Sequence, residues 1–510
     1  MLTKMRGEKK ELNKKNKFLL NIISSYSSQI INLICAFIVP KLILSEYGSV
    51  VNGLVVSIQQ FLIAFTLLSA GVGTVVQSSL YKPLAEKDNT QLSMILVSAQ
   101  KFFSKLGIGL VIYTFILCFV YPLFSDSSFS NQYIILLVLS LSIDTIAQYL
   151  FGATRLQLVT ADQRTYISKF CNIFTRLLNT AAVIVLIKCH ASIQVVKFST
   201  ALIFLIDPIW LAYYVRKNYS VNWKVKLHGE PIKQKWNGLA QHICTAIFSD
   251  TDVVVLTVLS NLKNVSVYSI YCIVLNGLNQ LVNIFASIVQ PLLGEYWAKK
   301  EVGLFKKYFS IYEWVMHLIA QFVFGCSMTL IVPFVLTYTK GVNDANYNVP
   351  VFALLITLSG ALQFILMSYR TVIFSLGLYK ETQWTYIIGA FTNLIISVLL
   401  VHSFGLVGVA IGTLAGSVYM LIAQGIFVYK KVLEERITVL SFKICKTLLI
   451  LLIGNLICHF IPLWKYSYLS WMVLAIIHST IWMSVIVIIN LIIDRKRMVS
   501  SIKEIRRLRK

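Results

Sequence analysis

Between residues 18 and 493 the chain is a succession of long apolar stretches. Its Lys and Arg fall almost entirely in every second gap between them. A bilayer core takes about 20 apolar residues per helix, and that ruler divides the sequence into about 14 spans. Basic residues near span ends collect on the cytoplasmic side of a membrane when loops are short. By this rule the cytoplasmic gaps carry Lys82 and Lys87, Arg155 and Arg164, then Arg216, Lys217, Lys224, Lys226, Lys233 and Lys235. Further along they carry Lys299, Lys300, Lys306 and Lys307, then Lys380, then Lys430, Lys431, Arg436 and Lys443. The outer gaps hold Lys41, Lys188, Lys197, Lys263, Lys340 and Lys465. An even number of spans puts both basic termini in the cytoplasm.

Composition narrows the function classes. Hydrophobic residues make up 57% and charged residues only 13%, against about a quarter charged in a soluble globular chain. The net charge of +25 does not point to nucleic acid, because the cations flank spans and form no single groove. Their partner is the anionic inner leaflet, worth about 1 kcal/mol per basic residue near the surface. The nine Cys are scattered without CxxC or metal-ligand spacing, so no metal site is expected and they read as small apolar residues. No phosphate loop of the GxxxxGK[ST] type is present, and no loop is long enough for an extramembrane catalytic domain.

The expected fold is an all-α integral membrane protein. A basic cytoplasmic N-terminus (1–17) precedes a first lobe of six spans (18–214). A basic cytoplasmic loop (215–237) leads to a second lobe of six (238–428). Two additional spans (446–493) and a basic tail (494–510) follow. An internal repeat supports two lobes: Tyr47-x4-Asn52-Gly53-Leu54 in the second span recurs as Tyr271-x4-Asn276-Gly277-Leu278 in the eighth. Both copies start at an outer end and run inward. Six spans separate them, and an even number preserves orientation, so the lobes are parallel. Transporters of that plan place substrate between the lobes.

Ionisable groups inside spans cost roughly 2.5–3.5 kcal/mol on insertion scales and usually face a cavity or a partner. Asn172, Arg176 and Asn179 stand at i, i+4 and i+7, on one helical face. Asn276, Gln280 and Asn283 share a face of the eighth span. These six are the candidate substrate-binding residues. Asp250 and Asp252 in the seventh span and Asp144 in the fourth are candidates for a coupling cation, although the two in the seventh span would equally neutralise a nearby Arg. Asn21, Ser25, Ser28 and Asn32 stripe the first span. Asp207 before Pro208 marks a break in the sixth. Amides and hydroxyls in these stripes also serve to bond helix to helix. Arg155 and Arg370 read as snorkelling side chains near cytoplasmic ends. Gly405, Gly408 and Gly412 read as small residues for close helix contact.

Two lobes of six, two additional spans, the Tyr-x4-Asn-Gly-Leu segment leading to LYKPLAEKDN (residues 80–89) and SDTDVVVL (residues 249–256) together resemble bacterial polysaccharide biosynthesis proteins. These are the Wzx-type O-antigen or capsule repeat-unit flippases of the multidrug/oligosaccharidyl-lipid/polysaccharide exporter superfamily, whose fold is MATE-like. The resemblance implies a flippase, not an enzyme. It would move undecaprenyl-pyrophosphate-linked oligosaccharides across the bacterial inner membrane by alternating access, for capsule, O-antigen or exopolysaccharide synthesis. It implies no cofactor beyond a coupling Na+ or H+. A polysaccharide polymerase and chain-length machinery would be its protein partners. The alternatives are a cation-coupled multidrug exporter of the same fold and a membrane polymerase or glycosyltransferase; the latter would need a carboxylate-bearing outer segment, which this chain lacks.

Overall fold

The computed structural model describes residues 2–69, 72–124, 129–225, 239–461 and 465–508, and every element among them is helical. The chain divides into two compact units, Met1–Ile243 and Cys244–Lys510. Most of the basic loop, from residue 226 to 238, and the tail's last two residues lie outside the described residues.

The first unit runs α1 (Leu2–Thr66), α2 (Val72–Glu86), α3 (Asn89–Phe124), α4 (Asn131–Ala147), α5 (Ala153–Ala161), α6 (Thr165–Lys188), α7 (Ile193–Phe204) and α8 (Ile206–Asn218). Helix α1 is two spans joined at Gly48, whose φ of 80° lies in the left-handed region. A side chain is strained there and glycine is not. The carboxylate of Asp88 caps α3 by accepting from the amides of Thr90 (3.0 Å) and Gln91 (2.9 Å), which satisfies amides that have no partner within the helix. Between α4 and α5 a single π-helical turn, Gln148–Gly152, bends the fourth span. The sixth span breaks between α7 and α8, next to Asp207 and Pro208, because proline supplies no amide to the helix ladder.

The second unit runs α9 (Leu239–Leu259), α10 (Leu262–Ala298), α11 (Val302–Ile319), α12 (Gly325–Tyr338), α13 (Pro350–Ser375), α14 (Tyr379–Phe404), α15 (Leu406–Phe427), α16 (Ile437–His459) and α17 (Tyr468–Leu508). Eleven helices among the described residues are long and apolar enough to cross a membrane. The first of them is the pair broken at Gly48, and α9 and α10 are of spanning length. The count of about 14 spans is therefore recovered. Large apolar side chains cover the outside: Phe119, Leu123, Leu399, Phe460 and Ile492 are each at least two-thirds exposed. In water such a surface would drive aggregation, whereas in lipid it is the expected exterior.

The two units use one packing scheme. In the first, α7 packs on α4 and α6, and α6 packs on α1; in the second, α15 packs on α13 and α14. The fourth, fifth and sixth spans thus meet as the tenth, eleventh and twelfth do.

One expectation fails here in the second unit. Lys443 was assigned to a cytoplasmic loop, yet it lies inside α16 and is buried, as is Lys446. Lys443 forms an ion pair with Glu313 of α11, whose carboxylate also accepts from Tyr369 (2.9 Å) and Tyr429 (2.8 Å). Four residues on, Thr447 bonds His317 (2.8 Å) and Gln321 (2.9 Å), and Lys446 donates to Asn490 of α17 (3.1 Å). The last two spans are pinned to the second unit by a buried polar zipper. A lone charge there would carry the full desolvation cost, which the pairing and the tyrosine hydroxyls offset.

Candidate functional site

Each unit holds a polar cluster among the spans that its packing scheme brings together. In the first unit, the i, i+4 spacing on α6 does place Asn172 and Arg176 on one face. Asn172 accepts from Ser28 and Asn32 of α1, each at 3.3 Å, so it bonds the first span to the fifth. The Arg176 guanidinium lies 4.7 Å over the ring of Phe204, a cation–π contact. It is within electrostatic reach of Asp144 and Asp207. Thr175 donates to Asp207 at 3.3 Å. Asn179 is buried, and its side-chain oxygen has no hydrogen-bond partner.

A cavity of about 320 Å³ opens beside this face, lined by Gln59, Ser140, Asp144, Lys197, Thr200 and Phe204 among others. Lys197 was expected in an outer gap. It sits one turn into α7, 7% exposed. Its ammonium feels Asp144 across the cavity. The structure therefore joins Arg176, Asn172 and Asp144 into one neighbourhood and adds Lys197 and Asp207 to it.

In the second unit the centre is Asp252 on α9, 3% exposed. Its carboxylate accepts from the Thr413 hydroxyl (2.7 Å), the Tyr268 hydroxyl (2.9 Å) and the Asn393 amide (3.4 Å). Ser397 donates to the side-chain Oδ1 of Asn393 (3.1 Å) and to the Val409 backbone carbonyl (3.3 Å), which also accepts from Thr413 (3.1 Å). Glycines make this possible. A Cβ on Gly412 would fall 2.1 Å from Ser397 Oγ and 2.7 Å from the Asn393 carbonyl. The backbones of α14 and α15 meet at hydrogen, and Thr413, Ser397 and Asn393 converge on Asp252.

Asp252 lines a cavity of about 300 Å³ with Tyr268, Asn276, Gln363, Arg370 and Thr413. Arg370 does not snorkel. It faces this cavity, 5.3 Å over the Tyr386 ring, with Met420 Sδ at 3.4 Å. Asn276 is a wall of the cavity; Gln280 and Asp250 are not among its lining residues. The side chain of Asn283 lies outside the described residues. Among the described residues no cluster of three or more His, Cys, Asp or Glu could hold a metal ion.

The sequence reading puts Lys197 in an outer gap and Arg370 at a cytoplasmic end, and it misses Asn393 and Thr413. A signal existed for the first two, since each is a cation at least one turn inside an apolar stretch. Asn393 and Thr413 carry no such signal, because an amide or hydroxyl in a span is ordinary.

At the start of the basic loop the first unit gathers a set of charged and aromatic contacts. Asp162 pairs with Arg164 (2.6 Å) and Lys17 (3.9 Å) and accepts from Tyr219 (2.7 Å). Burial, reinforced by that carboxylate, pushes the Tyr219 phenol up. Arg155 stacks over Trp223 at 5.0 Å, which draws the start of the basic loop back onto the unit.

No protein-family model matches the chain, and no curated protein matches it. Solved structures do. A lipid II flippase MurJ in an inward closed conformation superposes with a TM-score of 0.71 at 14% identity, covering 94% of this chain and 100% of that one. An inward-facing multidrug resistance MATE family transporter of the MOP superfamily gives 0.60 at 14% identity, covering 78% and 93%. The MATE multidrug transporter DinF-BH in complex with R6G gives 0.57 at 15% identity, covering 81% and 95%. At these identities the likeness concerns the fold: this chain is a multi-pass membrane protein with the fold shared by the MurJ flippase and the MATE transporters.

Proposed function

We propose that the chain is a flippase that carries a polyprenyl-pyrophosphate-linked oligosaccharide from the cytoplasmic to the outer leaflet of a bacterial inner membrane. Transport proceeds by alternating access, without covalent chemistry, for capsule, O-antigen or exopolysaccharide synthesis. Both termini are cytoplasmic. A polysaccharide polymerase and chain-length machinery would take the product onward.

The observation that carries this reading is the extent of the match. The lipid II flippase, a protein named for a lipid-linked cargo, is covered over its whole length, whereas the MATE structures leave about a fifth of this chain unmatched. The cluster chemistry agrees. Arg176 and Arg370 are cations on polar faces and suit the pyrophosphate, through charge-assisted bonds. Asn172, Asn179 and Asn276 offer amide groups to sugar hydroxyls. Asp252 takes the coupling cation: its carboxylate is bonded by the Thr413 and Tyr268 hydroxyls and the Asn393 amide, and by no second carboxylate. That donor set fits a hard monovalent ion or a proton better than a divalent metal.

A cation-coupled multidrug exporter is the second reading, favoured by the MATE likeness and by an acid lining a cavity in each unit, Asp144 and Asp252. A strain lacking the gene separates the two. The intact protein should restore surface polysaccharide, and Arg176→Ala and Asp252→Asn should each lower it about tenfold, the loss of one charge-assisted bond, with the protein still inserted. Normal polysaccharide from both variants would overturn the residue assignment. Restored drug resistance with no effect on polysaccharide would favour the exporter.

A further inference from the structure

Lys197 is a buried ammonium. No hydrogen bond or ion pair joins it to another described side chain, and Asp144, the opposite charge on the same cavity, stands beyond ion-pair distance. A buried lysine in an apolar span normally finds a partner or is selected against. Here the two charges flank a space of about 320 Å³.

Two chemical facts define what that space accepts. An ammonium only donates, with three N–H groups, and a carboxylate only accepts. Asp144 spends one oxygen on the amide (2.8 Å) and hydroxyl (3.3 Å) of Thr145, which leaves the carboxylate with acceptor capacity. A group that bridges both sides must donate and accept at once, as hydroxyls do. The rest of the wall repeats this: Gln59, Ser140 and Thr200 each offer donor and acceptor, and Phe204 supplies an apolar face.

Charge balance then selects among hydroxylated ligands. Lys197 and Arg176 are matched by Asp144 and Asp207, all in mutual electrostatic reach through Asp144 and Arg176. A ligand carrying net charge would unbalance a set already held in a low-dielectric span, at high cost. The volume sits at the small end of ligand cavities, which run about 300–1,000 Å³, so it takes one part of a larger molecule.

We propose that this cavity in the first unit is a subsite for a neutral pyranose ring of the cargo, its hydroxyls bridging Lys197 to Asp144 and its apolar face on Phe204. The inference rests on the flippase reading and narrows it: at least one sugar of the repeat unit is uncharged, and a uronate is disfavoured at this position.

The test is saturation-transfer NMR on the purified full chain, with methyl glucoside, methyl N-acetylglucosaminide and methyl glucuronide as probes. Binding of these soluble glycosides needs no translocation, so the result is independent of whether the chain flips lipid. The neutral glycosides should receive saturation, with about tenfold less for the glucuronide. Lys197→Met and Asp144→Asn should each reduce the neutral signal about tenfold, as one charge-assisted hydrogen bond is lost. Thr200→Val, isosteric and safe for folding, should reduce it about threefold, the scale of a neutral hydrogen bond. Equal transfer to all three glycosides, transfer indifferent to the substitutions, or no transfer to the intact protein, as for a cavity that holds water only, would each overturn the subsite.

Discussion

Two lysines are buried to the same degree, one in each unit. Lys197 and Lys443 are both 7% exposed. Lys443 is fully engaged, with Glu313 and the Tyr429 hydroxyl around it and Tyr369 completing the carboxylate's shell. Lys197 faces a cavity and an acid it does not touch. Burial of a charge is thus no measure of function; what distinguishes the two is whether the protein itself supplies the partner. The same contrast separates the units more widely. The second spends its buried charges on fastening the last two spans and on one carboxylate ringed by hydroxyls. The first leaves its own around an open space.

The sharpest way to break this comparison is to remove each lysine in turn. Lys443→Met leaves Glu313 buried without its cation and should destabilise the protein by about 3–5 kcal/mol, seen as a lower melting temperature in detergent. Lys197→Met should shift stability by less than about 1 kcal/mol, because no bonded partner is orphaned. Equal losses would show that Lys197 too is structural. An effect between these two is expected from Gly412→Ala. The added methyl meets the Asn393 carbonyl, so α14 and α15 must part, at about 1–3 kcal/mol for overpacking. Thr413 and Asn393 would then withdraw from Asp252, and dependence of transport on an imposed cation gradient should weaken more than stability does. If stability falls and that dependence stays intact, the glycine contact does not position the cation cluster.

Much of the architecture was legible because a membrane imposes a simple rule on sequence. Twenty apolar residues and a basic flank repeat so regularly that the span count could be read directly. The site was legible only where its logic is local. Arg176 and Asn172 lie one turn apart, and that spacing put them on one face. Glu313 and Lys443 are 130 residues apart, and no local pattern relates them. Asn393, Ser397 and Thr413 gain meaning only once Gly412 presses α15 onto α14. Lys197 and Lys443 misled for one reason: a cation one or two turns inside a helix looks, in sequence, like a cation at its end. Asp252 drew attention as an acid in mid-span, but nothing in the sequence distinguished it from Asp250, which lies outside the cavity's lining.

The account's central claim is that the chain moves a lipid-linked oligosaccharide, with the first unit holding a sugar and the second a cation. The most direct measurement is the initial rate at which a fluorescent polyprenyl-pyrophosphate oligosaccharide changes leaflets in liposomes containing the purified protein, with and without a cation gradient. The account predicts transport by the intact protein that responds to the gradient, a gradient-independent residue of transport in Asp252→Asn, and a uniformly slower but still gradient-responsive rate in Lys197→Met. A rate no greater than in protein-free liposomes, with a hydrophobic cation carried instead, would contradict it.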